Sequence, residues 1–396
     1  METQELPPAV GRRVYFLSGF DPRGAAFYYR YFADQLKAYQ RRSGRSLRLS
    51  RRRSHIESLV SRWQVIEGGG AESSVLLDYC FLHWDDIARM NWPRQPLVLV
   101  WDGLFVYAWY LLGGGIQRIA RLSHQVALCG LYPFLLALCC LGVAALAGVT
   151  LPPLLAQHGV QTQLAGALGL GVAVLLLGVC WPLADRLGAV WLFRSIRFTH
   201  ILGQERDREL RPRLEVLAER ILELESQDPA QEILLVGHSS GSFVMAMLAA
   251  TLRRQHGFMA VAPRVKLLTL GQNLANLAVH RSACSFHTDL QELAREPRLP
   301  WRDITSQDDY LCFAGVDPYR SCGLRIAQPA YPEQQLIPLA QRLELTGLVG
   351  LLTHQFSLHF EYIATGLAED HVGFDYLAHL LEPLDMASKP ACEPLR

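Results

Sequence analysis

The chain has 396 residues, half of them apolar and 19% charged, with a formal net charge of +1. That length suits one large or two ordinary domains, and near-neutrality removes any global attraction to nucleic acid or other polyanions. The charged share is below the roughly 25% of an ordinary soluble domain, so part of the chain is expected to be solvated by something other than water. The nine cysteines form no C-x-x-C pair, and Cys129, Cys139, Cys140 and Cys180 lie in the most apolar stretches, where they act as small hydrophobes in a reduced compartment. No apolar core follows Met1, so no secretory signal is expected.

In chain order, Val14–Ser18 reads as a short strand ending at Gly19, and Ala25 to about Tyr39 as a helix. Strands are expected over Ser46–Arg51, Val75–Leu82 and Leu97–Trp101. Leu104–Leu112 is apolar and aromatic but too short to span a bilayer; it reads equally as a buried segment or as one lying against lipid. Seven arginines fall between Arg41 and Arg53, either a solvated edge or a patch for anionic headgroups. His83-Trp84-Asp85-Asp86 has no second cluster of ligands, so no metal is expected. No cofactor is expected either.

Val126–Leu151 and Leu164–Leu183 contain no charged residue, and each is long enough to cross a hydrocarbon core of about 30 Å. Pro152-Pro153 is expected to stop the first span. Arg118 and Arg121 precede the pair, and Arg186, Arg194 and Arg197 follow it, while the intervening loop carries no Lys or Arg. The positive-inside rule then places both ends, and with them both termini, on the cytoplasmic side of an inner or plasma membrane.

Beyond the hairpin, Pro212 opens an amphipathic helix closed by Gln227-Asp228-Pro229. Ile233–Val236 follows as an apolar strand, then Phe243–Leu252 as a helix, Val265–Leu270 and Leu299–Thr305 as strands, and Tyr376–Leu381 as a final helix. The alternation argues for an α/β architecture with the hairpin inserted. The expected divisions are 1–115 and 191–382 as two halves of one α/β domain, 116–190 as a transmembrane hairpin, and 383–396 as a flexible tail.

Gly237-His238-Ser239-Ser240-Gly241 stands between the strand ILLV and the following helix. A nucleophile elbow requires this order: a buried strand, a turn so tight that glycine flanks the serine, and a helix N-terminus aimed at the reacting oxygen. Through this pentapeptide and its setting the sequence resembles the lipase and esterase-like branch of the α/β-hydrolase superfamily. The resemblance implies a mostly parallel sheet with helices on both faces, Ser239 as nucleophile, and a later carboxylate and histidine in that chain order.

For the base the resemblance favours His359, after the last strand region, with His371 as the alternative; His354 and His379 read as structural. The box His359-Phe360-Glu361-Tyr362 is also similar to one in membrane-inserted bacterial members. For the acid it favours Asp309, then Asp308, with Asp303 and Asp317 behind. Oxyanion donors are expected from the backbone of Ser240 and of Phe20, in the loop after the first strand; Asp21 could instead cap the first helix. The expected protein is thus a membrane-anchored serine hydrolase of ester or thioester bonds, with the bilayer and a lipid or ester as partners and no nucleic acid. An acyltransferase with the same triad and a non-catalytic membrane scaffold are the alternatives.

Overall fold

The computed structural model describes residues 11–55, 59–68, 74–326, 331–343, 354–366 and 374–381. The order is β1 (Arg12–Leu17), α1 (Gly24–Ser43), β2 (Leu47–Leu49), β3 (Arg53–His55), β4 (Val60–Glu67), β5 (Ser74–Leu82), α2 (Asp85–Met90), α3 (Pro96–Leu112) and α4 (Gly115–Leu122). The long helices α5 (His124–Gln157) and α6 (Thr162–Arg186) come next, then α7 (Ala189–Gly203) and α8 (Leu210–Gln227). The remainder is built on β6 (Glu232–His238), α9 (Gly241–Arg254), β7 (Val265–Leu270), β8 (Trp301–Thr305) and β9 (Glu333–Leu336), with shorter helices between and after them.

Contacts divide the chain into two compact units, one reaching Met90 and resuming at Leu202, the other Asn91–Ile201. In the first, nine strands form one mixed sheet in the order β2-β4-β5-β1-β6-β7-β8-β9, with β3 also paired to β4. From β5 to β9 every neighbouring pair is parallel, while β4 runs antiparallel to β5, β2 and β3. Val14 and Phe16 of β1 join α1 and helix Tyr376–Leu381 in one apolar cluster. Arg13 and Tyr15 point the other way, to Glu225 of α8, so helices cover both faces. The fold is α/β, with a mostly parallel sheet.

The second face carries a buried ion cluster. Arg13, fully buried, meets Asp78 at 2.5 Å, Glu225 at 2.9 Å and Asp228 at 2.7 Å, while Arg62 reaches Asp78 and Asp228. One cation thereby joins strands β1 and β5 to the end of α8.

In the second unit α5 and α6 are each long and apolar enough to cross a membrane. They meet through small residues, as membrane helices do: Ala144 and Ala165 are buried, and a Cβ on Gly169 would lie 2.6 Å from Pro152 Cγ and 3.1 Å from the Gly148 carbonyl. Leu141, Val149, Leu170 and Val174 face outward.

Several expectations are corrected. Leu97–Trp101 is not a strand: it forms one helix with Leu104–Leu112, because Pro96 opens a helical first turn and an apolar run of that length has no built-in period to mark it as extended. Pro152-Pro153 does not end α5, which runs to Gln157 with the Pro152 ring seated on Gly169. The second unit takes in α3, α4 and α7 and is wider than 116–190. Strands β3, β4 and β9 lie outside the expected set, although β4 alternates inward Ser61, Trp63 and Val65 with outward neighbours. The tail 383–396 lies outside the described residues.

Replacing Arg13 with alanine removes the fully buried cation between Asp78 and Glu225 and leaves each with a single part-exposed cationic partner, Arg62 and Arg264 respectively. The expected loss is about 3–5 kcal/mol of stability, read as a lowered denaturant midpoint of the detergent-solubilised chain by tryptophan fluorescence.

Candidate functional site

Strand β6 ends at His238 and α9 begins at Gly241, leaving Ser239 to make the turn with φ 57°, in the left-handed region. A non-glycine residue held there is strained by about 1–2 kcal/mol and must be fixed by its surroundings. The Ser239 amide donates to the Leu270 carbonyl, and the Ser239 carbonyl accepts from the Ser242 amide and Oγ at 2.9 and 2.6 Å. Glycine is obligatory on both sides. A Cβ on Gly237 would lie 2.5 Å from the Gly241 carbonyl, and one on Gly241 would collide with the carbonyls of both Leu17 and Ser18. The loop after β1 also crosses the serine closely, since a Cβ on Gly19 would lie 2.9 Å from Ser239 Cβ and 3.2 Å from its Oγ.

His359, on helix Gln355–Phe360, is buried and its Nδ1 lies 2.6 Å from Asp309 Oδ2. A carboxylate oxygen accepts, so Nδ1 carries a hydrogen, and in the neutral ring Nε2 then presents its lone pair. That Nε2 is buried and has no hydrogen-bond partner among the described residues. Asp309 is held in turn by the Leu311 amide, which donates to its Oδ1 at 2.9 Å. The imidazole edge sits beside the elbow: a Cβ on Gly271, next to Leu270, would lie 3.2 Å from His359 Cε1. His238 secures the same helix by donating from Nε2 to the His359 carbonyl at 2.8 Å. Burial, and then His359 nearby, push His238 down to about 3, so it is neutral near pH 7 with Nε2 protonated.

The structure therefore brings Ser239, His359 and Asp309 to one end of the sheet, past the C-terminal ends of β6, β8 and β9. No hydrogen bond joins Ser239 Oγ to His359 Nε2; the serine hydroxyl instead accepts from Asn273 Nδ2 at 3.4 Å. Asp308 is directed elsewhere, its Oδ2 accepting from the Ala340 amide at 2.9 Å and its carbonyl from Gln355 Nε2 at 3.0 Å. Asp317 caps helix Pro318–Ser321. Asp303 is buried between strands, accepting from Thr269 Oγ1 at 2.6 Å, and burial pushes its carboxyl up to about 7. His371 lies outside the described residues, and His379 is half-buried on helix Tyr376–Leu381 and pushed by desolvation down to about 3. Asp21 does not cap α1; it accepts from the Arg23 amide and guanidinium and from Tyr28 OH. Phe20 and Ser240 are buried in the loop after β1 and at the start of α9.

Asn273 was not among the expected residues. It follows β7, its amide orientation set by Asn276 Nδ2, which donates to its Oδ1 at 2.8 Å, and its backbone N–H held by Ser242 Oγ at 2.9 Å. The signal that could have found it is position: polar residues directly after a parallel strand line the crevice where open α/β sheets bind ligands. Chemically the cluster offers a hydroxyl on a strained turn, an imidazole with an oriented lone pair, a carboxylate behind it, and a fixed amide donor. His83 and Asp85, read above as lacking a metal partner, are joined at 2.8 Å, while Asp86 pairs with Arg213. In comparison with protein-family models, curated proteins and solved structures, the chain matches none.

Unfolded His238 binds a proton near pH 6.5, whereas the folded residue does not until about 3. Its folded pKa is depressed, so the unfolded chain binds more protons and stability falls as the pH drops below 6.5. Between pH 6.5 and 5 this costs about 2 kcal/mol. Asp303, with a raised pKa, tilts the curve the opposite way, so the measurement is a difference: urea midpoints of His238→Gln are expected to fall less steeply over that window than those of the native chain.

Proposed function

We propose that this chain is a membrane-anchored serine hydrolase of the α/β-hydrolase type, acting on an ester or thioester, foremost of a lipid. The observation that carries the reading is the Asp309–His359 hydrogen bond, which leaves a bare Nε2 in the neighbourhood of a serine on a strained strand-to-helix turn. Supporting it, the proposed nucleophile, acid and base follow in the chain order Ser…Asp…His, and the loop after the adjacent parallel strand β1 crosses the serine.

In the proposed cycle Ser239 Oγ turns from Asn273 to His359, gives its proton to Nε2 and attacks the carbonyl carbon. Asp309 holds the ring tautomer and stabilises the imidazolium. The developing oxyanion is met by the backbone amides of Ser240 and Phe20, with Asn273 Nδ2 as a further donor at the serine. His359 returns the proton to the leaving group, and water, deprotonated by the same Nε2, cleaves the acyl-enzyme. An alcohol or amine in place of water would make the reaction an acyl transfer.

The hairpin α5–α6 anchors the hydrolase unit by the chain at Met90 and Leu202, which raises the local concentration of membrane-borne substrate without a new contact. Arg118, Arg121, Arg186, Arg194 and Arg197 support a cytoplasmic position for both hairpin ends. A second reading, a scaffold without catalysis, is favoured by one observation, the missing hydrogen bond between Ser239 and His359. Catalytic hydrogen bonds often tighten only when substrate is bound, so this does not decide against the enzyme.

A fluorophosphonate probe is expected to label the native chain in membranes and not the Ser239→Ala variant. Asp309→Asn is expected to slow labelling by about 10⁴-fold while preserving the fold, because it removes the acceptor that sets the His359 tautomer. A folded native chain that stays unlabelled in both detergent and liposomes would establish the scaffold reading instead.

A further inference from the structure

Helix α3 has two unlike sides. Leu97, Trp101, Leu104, Phe105, Ala108 and Leu112 recur at helical spacing on one face, and Leu97, Trp101 and Phe105 are 82%, 62% and 60% exposed. Leu99, Val106 and Tyr110 are buried on the other. No charge stands on the exposed face. The helix's single acid, Asp102, is neutralised by Arg197 of α7. So many large apolar side chains left open on one helix mark an interaction surface.

What covers that surface is indicated by the level at which α3 meets the hairpin. Tyr132 of α5 donates to the Leu187 carbonyl at 3.4 Å, directly after Asp185 and Arg186 restore charge at the end of α6. That contact marks where the hairpin leaves the hydrocarbon. Tyr107 of α3 donates to the Gly130 carbonyl at 3.0 Å and stacks obliquely on Phe134 at 5.0 Å, within one turn of Tyr132 on either side. The tryptophans agree: Trp92, Trp101, Trp109, Trp181 and Trp191 belong to this unit, and none stands between residues 110 and 180, the stretch that reaches to the far side. Such clustering is the signature of a membrane–water interface. At 17 residues α3 is about 25 Å long, less than the roughly 30 Å of a bilayer core, and it breaks by 63° into α4, which carries Arg118 and Arg121.

We propose that α3 is an interfacial helix, lying at the headgroup–acyl boundary of the leaflet that holds the ends of the hairpin, with Leu97, Trp101, Leu104 and Phe105 among the acyl chains. The inference rests on the reading that α5 and α6 span the bilayer. It adds to that hairpin a third, in-plane element, which fixes the depth and rotation of the anchor where two spans alone would leave both free.

The test uses the full chain in phosphatidylcholine vesicles whose acyl chains are brominated either near the headgroup or near the methyl end. The emission lost on Trp101→Phe substitution isolates Trp101. A second variant, Leu141→Trp, places a reporter about 13 Å further along α5 from Tyr132, near the bilayer midplane. The expected result is that Trp101 loses more emission to the shallow bromines than to the deep ones, and that the emission added by Leu141→Trp does the reverse. Trp101 quenched by neither, with the added reporter still quenched, would overturn the proposal by placing α3 outside lipid. Trp101 quenched more by the deep bromines would overturn it in favour of a third span. Loss of quenching at both positions would show that the hairpin itself lies outside lipid, a failure of the underlying reading.

Discussion

Everything at the candidate site depends on how closely the end of β1 approaches the first turn of α9. The carbonyls of Leu17 and Ser18 occupy the space a side chain at Gly241 would fill, and Gly237 is closed off by the helix it precedes. With no room on either side, the chain can pass from strand to helix only by forcing Ser239 into a left-handed conformation. The strain is local and is held by two hydrogen bonds to the Ser239 carbonyl and one from its amide to β7. A serine presented by such a turn lies at the strand ends, where Asn273 and Asp309 follow β7 and β8 and where helix Gln355–Phe360 places His359.

The elbow, the two apolar spans and the strands β1, β5, β6, β7 and β8 were legible because each leaves a local mark: a glycine spacing, an uncharged run, or a short apolar segment between turn residues. The histidine could be narrowed only by its position after the last strands. Which of two adjacent carboxylates would face it was not legible, since Asp308 and Asp309 differ in the hydrogen bonds that the loop and Ala340 make, and those partners lie far away in sequence. Asn273 was hidden for the same reason. The first part of α3, Leu97–Trp101, was expected as a strand because an apolar run without period looks alike as a buried strand and as a helix. Strand β4 alternates Ser61, Trp63 and Val65 with Arg62 and Gln64, so it has no continuous apolar run to mark it.

Around the site the ionisable groups are treated in contrasting ways. His238 is kept neutral in the core and serves as a fixed donor to the backbone of the helix that carries His359. Asp303, two strands away, is pushed up to about 7 by its burial, and Thr269, which donates to it and accepts from Trp301 Nε1, ties β7 to β8 beneath the Asp309 loop. Asp309 and His359 are paired with each other, with Tyr362 and His238 packed against the imidazole at ring-centroid distances of 6.0 and 5.1 Å.

The buried Arg13 has a consequence for biosynthesis. Its strand, β1, is the central one, flanked by β5 from the same N-terminal segment and by β6, which is made only after the hairpin. The carboxylates of Glu225 and Asp228 that share its charge are also translated after the hairpin. As the chain emerges, the first five strands therefore wait with an open edge and a half-neutralised cation while α5 and α6 are synthesised. Completion of the sheet must await synthesis of the hairpin and of α8 and β6 beyond it, so maturation of this α/β unit is ordered in time by the segment inserted in its chain rather than by its own N-terminal half.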